Sequence, residues 1–146
     1  MQTGEIYQWG DIFRIVVPEK WTCEESEGVI TLARVGGVGA LNVSLVRMNQ
    51  RPRDAKSIAL QLAERFAANR GWDIGKSNVH SEVTAVGALS EFEYTEYGDE
   101  SAYWQVWNVV GAEHAALITY TCSPDYSDVE ATFRNDIVQS FRWANS

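Results

Sequence analysis

Apolar and polar residues alternate at every second position in several short segments of the first third of the chain. The clearest alternation covers 40–48 and predicts a β-strand. Similar runs predict strands over 11–18, which Pro18 would end, and over roughly 29–34. The glycine-rich stretch 36–39 comes directly before a strand, whereas a phosphate-binding loop comes directly before a helix. We therefore interpret these glycines as a wide hairpin turn.

A helical period follows these strands. Between 54 and 70 apolar residues recur every three to four positions, with Phe66 near the end of the stripe. Asp54 is suited to the N-cap of this helix, and Gly71 to the left-handed position that follows its last turn. The sequence predicts an amphipathic helix that buries Phe66 against a sheet.

A second helix is predicted over 127–140. Its start matches the capping box, in which Ser127 bonds the N–H of Glu130 and the Glu130 side chain bonds back. Apolar residues at helical spacing follow, and Ile137 is expected to be buried.

Between the helices, 79–122 alternates in the manner of consecutive strands, with breaks at Gly87, 98–100 and 111–113. Three-residue loops at the last two breaks would place aromatic and β-branched side chains opposite one another. The side chains that would then share one face, predicted as the main core, are Phe92, Tyr94, Trp104, Val106, Ile118 and Tyr120.

The opposite face of these strands has a mixed character. It is too apolar for solvent around Tyr103, Trp107 and Leu117, yet its edge carries Glu91 and Glu93. A helix of the same chain, a protein partner or a second copy in a homodimer could each cover it. We single out this face as a candidate partner-binding surface. The acids of the 98–100 hairpin are further partner-binding candidates: Glu96, Asp99 and Glu100.

Composition narrows the possible partners. The 146 residues fit one domain, 1–146, and 20 acidic against 12 basic side chains give a net charge of −8. This charge disfavours nucleic acid and anionic lipid, and suits a protein with a basic surface. The N-terminal region lacks a signal-peptide pattern, and no segment approaches the ~18 apolar residues of a membrane helix. We expect a cytoplasmic protein without membrane insertion.

No motif indicates catalysis, a metal or a cofactor. The sequence contains no nucleophile elbow and no zinc-protease pattern, and His80 and His114 lack neighbours at ligand spacing. Cys23 and Cys122 are far apart and are expected to be free thiols. One catalytic alternative remains, a general acid and base formed by the Glu91 and Glu93 pair.

The order of segments resembles the PsbP-like fold from about Phe13 to Trp143. The resemblance is carried by FRIVVPEKW, by the glycine turn into GALNVSLVRM, by VGALSEFEY and by the closing SFRW. This fold is shared by an extrinsic photosystem subunit, a eukaryotic Ran-binding import factor and small bacterial domains. The resemblance implies an α+β protein, an α/β/α sandwich whose central antiparallel sheet has helices on both sides.

The resemblance also implies a function class, because most members bind other molecules without catalysis. We expect a non-catalytic protein-binding module of a bacterial cell, with immunity-type binding of a basic toxin as its specific form. The alternatives are a chaperone for type VI secretion effectors and a small hydrolase or lyase. An immunity role would gather acids on one face; the set considered is Glu24, Glu25, Glu27, Glu96, Asp99 and Glu100. A chaperone would need an open apolar groove.

Overall fold

The computed structural model describes residues 4–75 and 78–144, which form ten strands and two α-helices. The strands are β1 (Gly4–Trp9), β2 (Phe13–Pro18), β3 (Trp21–Ser26), β4 (Val29–Arg34), β5 (Gly39–Arg47), β6 (His80–Thr84), β7 (Gly87–Glu96), β8 (Ala102–Val110), β9 (His114–Cys122) and β10 (Arg142–Trp143). The helices are α1 (Ala55–Asn69) and α2 (Ala131–Ser140).

Seven of the strands form one antiparallel sheet in the order β3-β4-β5-β9-β8-β7-β6. Helix α1 packs on one face of this sheet, where Ala63 and Ala67 contact the cluster around Phe92 and Val106. Helix α2 and a small sheet of order β1-β2-β10 pack on the opposite face. The predicted sandwich, with a central antiparallel sheet and helices on both sides, is confirmed.

Helix α1 forms as its sequence predicts. The Asp54 carboxylate accepts a hydrogen bond from the Ser57 N–H at 3.1 Å, and Gly71 follows the last turn with a φ of +73°. Alanines face the sheet, which lets the helix backbone approach closely enough for the Ser90 hydroxyl to bond the Ala59 carbonyl at 2.7 Å. Phe66 was expected to be buried and is half-buried.

The register of the β7–β8 hairpin is the predicted one, whereas that of β8–β9 differs by one residue. Phe92 faces Val106 as expected, but Val106 faces Thr119 instead of Ile118. The reason is the turn at 111–113, where the Gly111 N–H bonds the His114 carbonyl at 2.9 Å and leaves a two-residue turn.

Because side chains alternate across a sheet, this shift moves every residue of β9 to the other face. Ile118 and Tyr120 lie on the α2 face, in the same cluster as Trp107. Leu117 lies on the α1 face, in the cluster of Phe92. The predicted sharing of one face is therefore wrong for β9 and correct for β7 and β8. That face is not the main core, because the larger cluster of buried side chains lies on the α2 face, around Trp107 and Tyr120.

The start of α2 is also corrected. A short 3₁₀ helix covers Pro124–Tyr126, and α2 begins at Ala131. Glu130 occupies the N-cap but makes no capping hydrogen bond with its side chain. The predicted capping box does not form, because the Glu130 carboxylate is fully buried and bonded elsewhere. Ile137 is buried, as expected, at 1% exposure.

Other local predictions are confirmed. Residues 35–38 connect the antiparallel strands β4 and β5, so the glycines form a turn. Cys23 and Cys122 are free thiols. Strands β1 and β3 were not predicted, since β1 is a mostly exposed edge strand and the acids of β3 resemble a turn.

A loop surface and the polar cluster beneath it

Three loops meet at one end of the central sheet. The register places Gly39 beside Cys122 and Cys122 beside Tyr103, so β5, β9 and β8 begin or end in one row. With strands ~4.8 Å apart, the row from β5 to β7 spans about 14 Å. We call the surface formed by these loops the loop end, and its segments are 35–38, 97–101 and 123–129.

The loop end carries exposed apolar side chains. Among the described residues, seven large apolar side chains are exposed, and four of them lie on this surface. The two aromatic ones are Tyr97, at 84% exposure, and Tyr126, at 50%. Val35 and Val129 are the others. Exposed tyrosines are frequent anchors of protein interfaces, so this end of the molecule has the composition of a contact surface.

The same loops are acidic. Their exposed acids are Asp99, Glu100, Asp125 and Asp128. No Lys or Arg occurs within the three segments. Glu96 lies at the border of the surface, where its carboxylate accepts a hydrogen bond from the Trp104 indole at 3.0 Å. The predicted candidates Glu96, Asp99 and Glu100 therefore lie together on or beside the loop end.

The predicted candidates on the sheet face are placed differently. Trp107 is 1% exposed and Tyr103 8%, because α2 and the small sheet cover them. Leu117 lies on the other face of the sheet. These three side chains do not form an exposed surface. The helix of the same chain, one of the coverings considered from the sequence, covers Tyr103 and Trp107.

Glu91 and Glu93 accept hydrogen bonds from their own chain. The Trp107 indole donates to Glu91 at 2.7 Å, and Gln105 donates to the same oxygen at 2.8 Å. The Tyr103 hydroxyl donates to Glu93. Each carboxylate thus accepts hydrogen bonds from side chains of the neighbouring strand β8. The two carboxylates share no donor.

The acids considered for one charged face are separated. Glu24, Glu25 and Glu27 belong to the β3–β4 hairpin, at one edge of the sheet. Following the paired residues across the sheet from Ser26 leads through Ser44 and Leu117 to Asn108. Asn108 lies near the end of β8 that is remote from the 97–101 hairpin. The two acidic groups therefore lie at opposite corners of the sheet, and the expectation that they gather on one face is wrong for this set.

An ion pair between the partly exposed Arg34 and the buried Glu130 holds the glycine turn to the start of α2. Arg34 Nε lies 3.0 Å from a Glu130 carboxylate oxygen, and the Tyr120 hydroxyl donates to the other oxygen at 2.7 Å. A Cβ added at Gly37 would lie 2.5 Å from the Glu130 carboxylate, and one at Gly39 2.5 Å from the Tyr120 hydroxyl. The glycines of this turn are therefore required where the backbone passes directly over a carboxylate and a phenol.

Arg134 forms the second part of this polar cluster and is only 3% exposed. Its Nε donates to Gln105 Oε1 at 2.6 Å, and one terminal nitrogen donates to the Tyr103 hydroxyl at 3.2 Å. Its guanidinium also lies 4.5 Å from the Tyr120 ring centre and 5.3 Å from that of Tyr103. Its Nη1 has no hydrogen-bond partner among the described residues.

The two tyrosines of the cluster are held in their neutral form. Burial raises the pKa of Tyr103, and its hydrogen bond to Glu93 raises that pKa further. Burial raises the pKa of Tyr120 as well, with a second contribution from its hydrogen bond to Glu130. Both hydroxyls therefore remain donors, which makes the cluster a rigid support for the loops above it.

Sequence analysis did not identify Arg34, Tyr120, Glu130 and Arg134 as a group. Glu130 and Arg134 stand four residues apart, but such pairs usually lie on exposed helix faces. Within 4–75 and 78–144, no group of three His, Cys, Asp or Glu side chains could hold a metal ion. None of the helices described there is long and apolar enough to cross a membrane.

A cleft of about 680 Å³ lies at the other end of the sheet. The indole of Trp143 forms one wall and donates to the Val86 carbonyl at 2.8 Å. Its polar lining residues are Asp11, Arg47, Arg51, Glu113 and His114. Most of the other lining residues are apolar, such as Ile12, Pro52 and Val110. The cleft thus combines an aromatic wall and a mainly apolar lining with charges of both signs.

Comparison with solved structures identifies the fold. The chain is similar to a protein of Bacteroides thetaiotaomicron VPI-5482, with a TM-score of 0.69 and 13% identity over 98% of this chain. It is also similar to the cyanobacterial PsbP (CyanoP) of Synechocystis sp. PCC 6803, with a TM-score of 0.61 and 13% identity over 95% of this chain and 91% of that one. No family model matches the chain, and no curated protein matches it by sequence.

The two likenesses differ in extent. The chain spans about half of the Bacteroides protein, 49% of its length, but nearly all of CyanoP. At 13% identity, they show the fold and no more. The PsbP-like fold expected from the sequence is confirmed.

Proposed function

We propose that this chain is a non-catalytic module that binds a protein with a basic surface through the loop end. The observation that carries the proposal is the pair of exposed tyrosines, Tyr97 and Tyr126, within acidic loops that contain no Lys or Arg. Aromatic side chains provide contact area at low entropic cost, and the acids would select and orient a cationic partner. An immunity-type role, in which the partner is a basic toxin, is the specific form that we favour. Its charged face would be the loop end alone, since Glu24, Glu25 and Glu27 lie at the opposite corner of the sheet.

The polar cluster supports this role by fixing the loops before binding. The Arg34–Glu130 pair joins the 35–38 turn to the start of α2, directly beside the 123–129 segment. Loops held in place in the free protein lose less conformational entropy when a partner binds. The net charge of −8 would also accelerate encounter with a basic partner at low ionic strength.

The alternatives have weaker support. A chaperone for apolar effector segments needs a groove lined by apolar and aromatic groups. The cleft has a mainly apolar lining, but it offers one aromatic side chain, Trp143, and four charged ones interrupt it. A hydrolase or lyase would need Glu91 and Glu93 to act on one substrate. Glu93 already accepts a hydrogen bond from Tyr103, and Glu91 accepts hydrogen bonds from Gln105 and Trp107.

Site-specific crosslinking in the native host tests the proposal. A photoreactive phenylalanine analogue would replace Tyr97 in one variant and Tyr126 in another. The matched control carries it at Val83, a residue of β6 that is 74% exposed and pairs with Ala88 near the other end of the sheet.

We expect Tyr97 and Tyr126 variants to crosslink to the same basic protein, and the Val83 variant not to. The yield should fall as salt rises, and Asp99→Asn together with Glu100→Gln should reduce it further. Equal labelling from all three positions, or no specific product from either tyrosine position, would overturn the proposal.

A further inference from the structure

Three aromatic rings contact the guanidinium of Arg70 beside the loop end, and we call them the aromatic cage. The carbon at the centre of this guanidinium lies 4.4 Å from the ring centre of Trp104, 5.1 Å from that of Phe66 and 5.3 Å from that of Trp72. Trp72 is itself stacked on Tyr94 at 4.6 Å. Three rings at these distances form the arrangement by which proteins bind guanidinium and quaternary ammonium groups.

The electrostatic surroundings also favour a cation. Arg70 is the C-cap of α1, so the negative end of the helix dipole lies at the cage. The indole of Trp104 donates to Glu96, which fixes the orientation of that ring. The acids Asp99 and Glu100 follow in the 97–101 hairpin. Rings, helix terminus and carboxylates therefore all attract positive charge.

Another cation can displace the Arg70 side chain from these rings. Its side chain is exposed and, within 4–75 and 78–144, makes no ion pair. Contacts between an exposed cation and aromatic rings are weak, so displacement costs little. The rings themselves are held independently, since Trp72 is 6% exposed and packs with Phe66, Ala67 and Phe92.

We propose that this cage is a cation-binding site, at which an arginine side chain of the basic partner takes the place of Arg70. The inference rests on the proposed function and specifies one contact within it. The cage adjoins the loop end because Trp104 and Tyr94 occupy the next row of the sheet after Tyr103. A partner held by the acidic loops would thus have a guanidinium pocket directly beside them.

The test uses small probes and needs no knowledge of the partner. N-acetyl-arginine amide is titrated into the folded protein while the indole N–H resonances of Trp72 and Trp104 are followed by NMR. The uncharged isostere N-acetyl-citrulline amide is the control ligand. The variant Arg70→Ala leaves the cage empty, and Arg65→Ala removes a neighbouring exposed charge of α1 as its matched control.

We expect saturable shifts of the Trp104 indole with the arginine probe and none with the citrulline probe. The Arg70→Ala variant should bind the arginine probe about fivefold more tightly than the unaltered protein, because no internal cation competes. The Arg65→Ala variant should bind like the unaltered protein, and Trp104→Ala added to Arg70→Ala should abolish the response. Absence of saturable shifts in folded Arg70→Ala, or equal response to both probes, would overturn the inference.

The two proposals can fail separately. Crosslinking from Tyr97 without arginine binding would retain the loop end and remove the cage. Arginine binding without a crosslinked partner would retain the cage and remove the protein-binding role.

Discussion

The two faces of the central sheet are covered by different chemistry. On the α1 face, three fully buried alanines, Ala59, Ala63 and Ala67, pack on apolar side chains of the sheet. On the α2 face, Glu130 and Arg134 are as deeply buried as the apolar residues around them. One face is therefore held mainly by apolar contact, and the other also by directional bonds between charged and polar groups.

The difference has a consequence for the loops. Apolar packing is non-directional and tolerates small shifts, whereas a buried carboxylate must meet its donors at fixed distances. The polar cluster lies on the α2 face, next to the loop end, where Glu130 and Arg34 set the relative positions of two loops. Burial of Glu130 and Arg134 costs more desolvation free energy than burial of alanines. We infer that the α2 face, despite this cost, is the face that fixes the positions of the loops most precisely.

The largest expected effect is on the polar face. Replacement Glu130→Ala leaves Arg34 and the Tyr120 hydroxyl without their shared acceptor and should lower the free energy of unfolding by about 3 kcal/mol. Urea denaturation at pH 7 measures this loss.

The conservative variant separates charge from shape. Glu130→Gln keeps an oxygen acceptor for the Tyr120 hydroxyl and should lose only about 1–2 kcal/mol. A loss below about 1 kcal/mol in Glu130→Ala would contradict a structural role for the cluster, and would remove the contrast between the two faces.

A smaller effect is expected at alkaline pH. Burial and the Glu93 hydrogen bond raise the pKa of Tyr103 in the folded state, so the folded protein retains that proton more strongly than the unfolded chain. The resulting stability is present below the unfolded pKa of about 10 and is lost as pH rises toward the folded pKa. Tyr103 thus contributes a decline of up to about 1.4 kcal/mol per pH unit above pH 10.

The variant Tyr103→Phe should remove that contribution from the slope. The free energy of unfolding of both proteins is measured between pH 9 and pH 11, and the two slopes against pH are subtracted. Groups that titrate alike in both proteins cancel in this difference. Identical slopes would show that Tyr103 is neither buried nor hydrogen-bonded to Glu93 in solution.

The α1 face was largely predictable from sequence. Its helix has a regular apolar period, a local N-cap in Asp54 and a local stop in Gly71. The hairpin between β7 and β8 was predictable for the same reason. Phe92 and Val106 lie on consecutive strands joined by a short loop, so their pairing is a local contact.

The α2 face depends on contacts that sequence pattern does not encode. Glu130 matches a capping box within its own segment, yet its partners Arg34 and Tyr120 are distant in sequence. At the 111–113 break, the Gly111 turn packs under Trp143 from the last strand, whose ring lies 2.7 Å from where a Cβ would stand. Long-range contacts override the local preference at both places, and the errors in register and helix start follow.

The smallest effect compares the two helix starts directly. Asp54 accepts a hydrogen bond from the Ser57 N–H, so Asp54→Ala should destabilise the protein by about 1 kcal/mol. Ser127 precedes α2 by four residues, and Glu130 occupies the N-cap without a side-chain bond, so Ser127→Ala should change the free energy of unfolding by less than about 0.5 kcal/mol. Both are measured by urea denaturation at pH 7, with the unaltered protein as reference. A loss of about 1 kcal/mol in Ser127→Ala would mean that the capping box forms in solution. The Glu130 carboxylate would then be turned toward the helix terminus, and the bond from Tyr120 that defines the polar face would be broken.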